Sequence, residues 1–286
     1  MHRAYTPYSR LEGYSGSSPE SSTIFSERGS IMNTSIILIH GLGGTPTEMK
    51  YVGGVLEKRG IRVEYCTLKG HCSTIDDLRK STYKEWIESV NSCYDNVKKH
   101  SDKVFVSGLS AGCLLALHLA INKLVDGVIL YSPTFVLNGW SMPFYMPYLR
   151  YMKPWMDIFK LNLKERHPYG LKDERIRNMV TSQMDSGDPT KAGSFYTPLQ
   201  TMIQFNMLSL ELEKNIHNVD SPILSFHSTE DDVASISNSY KLMEACEDVE
   251  LVELNDSYHL VTLDKQRMEV CEKTLAFINE QSNNEV

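Results

Sequence analysis

The sequence predicts an α/β protein: a doubly wound, mostly parallel sheet with an inserted helical cap. Three observations carry this. Short β-branched runs alternate with helical patterns, one interval of about ninety residues breaks the rhythm, and a Gly-x-Ser-x-Gly turn joins a strand to an apolar helix.

The strand signals are Ser35–Ile39, Arg62–Cys66, Lys103–Val106, Gly127–Tyr131, Ile223–Phe226 and Val249–Leu254. Most are nearly continuous in apolar residues, as suits strands covered on both faces. Between them lie helix signals. Thr45-Pro46 offers a cap and a first-turn proline, and Gly60 closes that segment. Trp86, Val90, Tyr94 and Val97 repeat at helical spacing after Ser81-Thr82, and Ala111–Leu124 is apolar enough for a buried helix. The last helix is expected over Asp264–Gln281, with Met268, Cys271, Leu275 and Ile278 on one face. The long interval separates two strand signals that a simple crossover would join in a few tens of residues. This divides the chain into a polar lead-in over residues 1–22, a core over 23–132 and 222–286, and a cap over 133–221.

Composition narrows the function classes. With 286 residues, 41% hydrophobic and 23% charged, the chain suits one large domain or a domain with a cap. A formal charge of −7 argues against nucleic acid, which needs a basic surface. The six cysteines form no CxxC pair and read as reduced, mostly buried thiols, consistent with a cytoplasmic location. No run approaches the roughly 18 apolar residues of a membrane helix, and the first residues carry no signal-peptide core.

The chemistry centres on Gly108-Leu109-Ser110-Ala111-Gly112. It follows one strand and opens the apolar helix, and its small residues permit the sharp turn that lifts a serine hydroxyl clear of a sheet. A serine needs a base within hydrogen-bond reach, and on such a turn the chain order is Ser, Asp, His. His259 lies just past the last strand signal. Glu230, Asp231 and Asp232 compete for the acid after the strand before it. The loop His40-Gly41-Leu42-Gly43-Gly44 follows the first strand, where backbone N–H groups suit an oxyanion; Leu42 and Ala111 are the expected donors. The same loop has neither GxGxxG nor GxxxxGK, so it does not read as a phosphate cradle.

Taken in order, LIHGLGGTPTEM, LKGHC, VSGLSAG, HSTEDDVAS and YHLVTLD resemble bacterial carboxylesterases and monoacylglycerol-lipase-like serine hydrolases of the α/β-hydrolase superfamily. The resemblance runs from about Ile24 to Ile278. It implies the α/β-hydrolase fold and a triad of Ser110, His259 and Asp231, with Asp231 preferred to Asp232. It also implies Leu42 and Ala111 as oxyanion donors, two-step acyl transfer and no cofactor. Cys72 departs from it, standing where the family usually has a second glycine after the histidine.

The 133–221 interval bears on substrate. Its dense aromatic and methionine content, including Trp140, Phe144, Met146 and Trp155, suits contact with the acyl chain of a small ester, although such a stripe serves equally as the cap's own core. Arg150, Lys153 and Lys160 interleave with apolar residues over Gly139–Phe159, as in segments that make weak membrane-surface contact. The main expectation is a carboxylesterase or lipase acting on short- to medium-chain or monoacyl esters. A thioesterase with the same triad and a hydrolase-fold ligand sensor with little turnover are the alternatives. Dehalogenases and epoxide hydrolases are disfavoured, since they place an aspartate where Ser110 stands.

Overall fold

The computed structural model describes residues 33–151, 161–188, 190, 193 and 195–283; the lead-in expected over residues 1–22 lies outside these, and so does Trp155. Six parallel strands form the main sheet: β1 (Thr34–Ile39), β2 (Arg62–Cys66), β3 (Lys103–Leu109), β4 (Gly127–Tyr131), β7 (Ile223–Ser228) and β8 (Val249–Leu254). Their order is β2-β1-β3-β4-β7-β8. The order reverses at β1, so the crevice at the carboxyl ends of β1 and β3 is the natural place for a site. Register matters here. Ile39 pairs with Gly108 in β1–β3, and Ser228 with Leu254 in β7–β8, which brings the following loops side by side.

Alternate residues of the strands serve two separate cores. On one face Ile37, Ile39, Val104, Val106, Val128 and Leu130 pack with α3 (Tyr83–Lys98) and α4 (Ala111–Asn122). On the other, Ile36, Leu38, Phe105, Ile129, Tyr131 and Phe226 pack with α1 (Lys50–Glu57) and α8 (Arg267–Asn283). Helix α3 starts from a capping box in which Thr82 accepts from the Glu85 N–H and the Glu85 side chain reaches back to the Thr82 N–H. Helix α4 is buried on almost every side, which its unbroken apolar sequence requires.

One expectation shifts. Helix α8 begins at Arg267 rather than Asp264, because the Asp264 carboxylate accepts the N–H groups of Lys172, Asp173 and Tyr258 and is held in the preceding turn. Its buried face therefore carries Val270, Cys271, Thr274, Phe277 and Ile278, and Met268 is half exposed. Between β4 and β7 the described elements are mainly helical, with one short ribbon. The interval holds α5 (Glu174–Asp185), α6 (Leu199–Leu212) and an antiparallel ribbon of β5 (Asn162–Lys164) and β6 (Tyr196–Pro198). Helix α6 contributes Phe205, Leu208 and Leu212 to the first core, so it covers the sheet itself. A further helix, α7 (Ser237–Ala245), links β7 to β8, and its Leu242 also packs into the first core.

Candidate active site

Ser110 sits between β3 and α4 with φ 55° and ψ −118°, a conformation that L residues rarely adopt. The surroundings enforce it. A Cβ on Gly108 would lie 2.2 Å from the Gly112 backbone, and one on Gly112 would lie 2.6 Å from the carbonyl oxygens of Ile39 and His40. Only glycine at both positions lets strand and helix approach this closely. The Ser110 N–H donates to the Tyr131 carbonyl at 2.9 Å, anchoring the turn to β4. The residue is half-buried.

Ser110 Oγ lies 2.9 Å from His259 Nε2, and His259 Nδ1 lies 2.8 Å from Asp231 Oδ2. Asp231 is buried, and its other oxygen accepts the N–H groups of Val233 and Ala234, each at 2.8 Å. Burial alone would raise this carboxyl; the imidazoles of His259 and His227 outweigh it and hold Asp231 well below the usual carboxylate range. An ionised Asp231 accepts only, so Nδ1 of His259 carries the proton and Nε2 is left to accept from Ser110. The His259 pKa is raised: burial lowers it, but the Asp231 charge and hydrogen bond prevail, helped by Asp232 and Glu48.

Of the three competing acids, only Asp231 meets His259 Nδ1. Asp232 accepts the backbone N–H groups of Gly170 (3.1 Å) and His259 (3.3 Å), and Glu230 is exposed and paired with Lys172. Several supporting residues carried no sequence signal. His227 lies behind Asp231, its Nε2 3.3 Å from Oδ2 and 2.8 Å from the Ala234 carbonyl. Ser132, itself at φ 53°, donates its hydroxyl to the His259 carbonyl at 2.7 Å. Ser132 and His259 stand far apart in sequence, so no local pattern reveals their contact; His227 precedes Asp231 by only four residues, but spacing alone does not say that its buried ring turns back on that carboxylate.

The glycine loop lies against the serine turn, with the Cβ position of Gly41 3.5 Å from Ser110 Cβ. His40 is buried beneath it; its Nδ1–H donates to the Gly41 carbonyl (2.9 Å) and its Nε2 accepts the Leu68 N–H (3.2 Å). Burial pushes the His40 pKa down to about 4, so this ring stays neutral. The Gly44 N–H closes a turn onto the Gly41 carbonyl, and the Gly41 N–H donates to Glu48 Oε2 at 2.9 Å. Among the described residues the N–H groups of Leu42 and Ala111 have no protein acceptor. Cys72, at φ 56°, occupies the left-handed conformation that glycine adopts most readily, and the Ser110–His259 and His259–Asp231 distances stay within hydrogen-bond range.

Glu48 and Glu165 are both half-buried and electrostatically coupled to His259. Burial pushes each carboxyl up to about 7. The aromatic residues expected at the substrate lie further out. Trp140 is 61% exposed, donates its Nε1–H to the Glu230 carbonyl (2.9 Å) and sets its ring edge against Tyr258. Phe144 is 87% exposed, while Met146 is half-buried beside Phe135, Val136 and Met202. A separate cavity of about 750 Å³ opens among His167, Tyr169, Arg177, Phe195 and Tyr196, and contains no triad residue in its lining.

Comparison with known proteins bears on the family and the fold. The family model Hydrolase_4 (serine aminopeptidase, S33) matches residues 31–266. A thermostable monoacylglycerol lipase of Bacillus sp. (strain H-257) is 25% identical over 255 residues, covering 85% of this chain and 89% of that protein. A carboxylesterase of Bacillus subtilis (strain 168) is 20% identical over 236 residues, 81% of this chain and 87% of its own length. The crystal structure of a soluble variant of the monoglyceride lipase of Saccharomyces cerevisiae, in complex with a substrate analog, superposes with a TM-score of 0.72 at 17% identity, covering 89% of this chain and 88% of that one, a likeness of fold. The chain therefore belongs to the Hydrolase_4 (serine aminopeptidase, S33) family and is a lipase/esterase-type serine hydrolase of the α/β-hydrolase fold.

Proposed function

We propose that the protein is a carboxylesterase that cleaves short- to medium-chain or monoacyl esters through an acyl-enzyme on Ser110. The observation that carries this reading is the unbroken relay from Ser110 Oγ through His259 to Asp231, together with the N–H groups of Leu42 and Ala111, which have no protein acceptor among the described residues. His259 Nε2 takes the hydroxyl proton as Oγ attacks the ester carbonyl. Asp231 keeps the imidazole in the productive tautomer and stabilises its cationic form. The developing oxyanion is held by the Leu42 and Ala111 N–H groups, each donor contributing about 3 kcal/mol to the barrier reduction. His259 then protonates the leaving alcohol, and a water activated by the same ring releases the acid.

A complete relay favours an enzyme over a ligand sensor. The names of the relatives, a monoacylglycerol lipase and a carboxylesterase, point to the same substrate class. In this reading residues 133–221 form the cap. Trp140, Phe144, Met146 and Trp155 meet the acyl chain or the lipid surface that supplies it; the exposure of Trp140, Phe144 and Tyr148 supports the surface role.

The deciding experiment is hydrolysis of p-nitrophenyl esters from acetate to palmitate by wild type and Ser110→Ala. The expected result is turnover that peaks at one chain length and is abolished by the substitution. A folded wild type inactive across the series, or an active Ser110→Ala variant, would overturn the reading.

A further inference from the structure

The segment Thr45-Pro46-Thr47-Glu48 has the form of a capping box at a helix start. Thr45 accepts the Thr47 N–H, and the Glu48 carboxyl is also hydrogen-bonded to the Thr45 backbone. Stabilising the first turn would be the whole duty of an ordinary glutamate at this position. Here the side chain reaches further. Glu48 Oε2 accepts the Gly41 N–H at 2.9 Å, seven residues upstream. Its carboxyl fills the space above Gly44, where a Cβ would come within 2.0 Å of Oε1, and it lies 3.4 Å from the Cβ position of Gly41. The Glu48 carbonyl accepts the Thr262 hydroxyl at 2.9 Å, three residues beyond His259. One residue thus braces the glycine loop and joins it to the loop that carries His259.

We infer that Glu48 is a positioning residue for the oxyanion loop: by taking the Gly41 N–H, its carboxyl fixes the Gly41–Gly44 turn and leaves the Leu42 N–H free for the oxyanion. The inference rests on the proposed roles of Ser110, Leu42 and Ala111. Without Glu48 the Gly41 N–H loses its acceptor, and a loop with three glycines among five residues is held only through the Gly41 carbonyl, by His40 and the Gly44 N–H. The cost falls on the transition state, where the oxyanion forms, rather than on substrate binding.

Another turn of this protein supplies the separating variant. At the start of α2 (Ile75–Lys80) an aspartate, Asp77, closes the capping box on Thr74 by itself. Glu48→Asp therefore keeps the capping interaction but is one methylene too short for Gly41. Glu48→Gln keeps an oxygen acceptor at full length. The experiment measures kcat, KM, melting temperature and inhibition by an alkyl boronic acid, a mimic of the tetrahedral oxyanion, for wild type and both variants, with Ser110→Ala as control. Glu48→Asp should lose about 100-fold in kcat, the order seen for one oxyanion donor, and a similar factor in boronic acid affinity. Its KM should stay within about three-fold and its melting temperature should fall by only a few degrees, as one N–H left without its acceptor requires, while Glu48→Gln should retain kcat within about five-fold. Wild-type kcat in Glu48→Asp, or equal losses in both variants, would overturn the role of Glu48 and leave the triad standing. Turnover by Ser110→Ala would instead strike the underlying functional reading.

Discussion

Replacing Asp231 with asparagine should abolish most of the activity while leaving the protein folded, and the structure says why the amide has one orientation. Asp231 Oδ1 accepts two backbone N–H groups, from Val233 and Ala234, while Oδ2 faces His259 Nδ1. In Asp231→Asn the side-chain oxygen stays with the two backbone donors. The reverse orientation would leave both unsatisfied, at about 1–3 kcal/mol each. The amide nitrogen then faces His259 Nδ1 at about the present 2.8 Å, and it also faces the His227 Nε2–H, since the Ala234 carbonyl compels that nitrogen to carry a proton. His259 must shift its own proton to Nε2, so the nitrogen 2.9 Å from Ser110 becomes a donor and no longer a base. A wrong tautomer of this kind lowers kcat by about 10⁴, or about 5 kcal/mol of barrier. Steady-state hydrolysis of p-nitrophenyl butyrate, with a thermal melt as a folding control, makes the test. A folded Asp231→Asn variant within ten-fold of wild-type kcat would refute the tautomer argument.

Activity should rise with pH as His259 loses its proton, and its raised pKa places that limb above the ordinary 6.5; a kcat/KM profile reads it directly. Stability should follow Asp231 in the opposite range. A carboxyl depressed in the folded state contributes stability above its ordinary 3.8, and loses it as the pH falls through the lower folded value, which acid unfolding followed by circular dichroism will register. Gly112→Ala forces a methyl to 2.6 Å from two carbonyl oxygens and should cost about 2 kcal/mol or more, a fall in melting temperature of roughly 4–8 °C. Phe144→Asp, at a residue 87% exposed, should leave the melting temperature unchanged but weaken flotation with anionic liposomes at low salt; unchanged flotation argues against surface contact through this segment.

The six strand positions were legible in the sequence because both-face burial demands continuous apolar runs, and β2, β4 and β8 begin and end where those runs do. Strand β3 runs on through Gly108 to Leu109, past the apolar stretch, since the missing Cβ is what admits Gly112 beside it. The shift of α8 escaped local pattern because three N–H groups, two of them from residues 172 and 173, hold Asp264 out of the helix.

By itself the sequence determined the class of fold and pointed to the residues that converge in the candidate site. A serine between two glycines, a glycine loop after the first strand and a histidine after the last are local signatures, written in residues a few positions apart. Only the tertiary structure decided which acid of Glu230, Asp231 and Asp232 meets His259, because neighbouring loop residues point in different directions once β7 and β8 pair. Nor could spacing reveal His227 behind Asp231, Ser132 under His259 or the reach of Glu48 to Gly41. Ser132 meets His259 where separate loops converge on the carboxyl edge of the sheet, a convergence that strand register sets; the other two contacts are single loops folding back on themselves, and the packing around them decides that path.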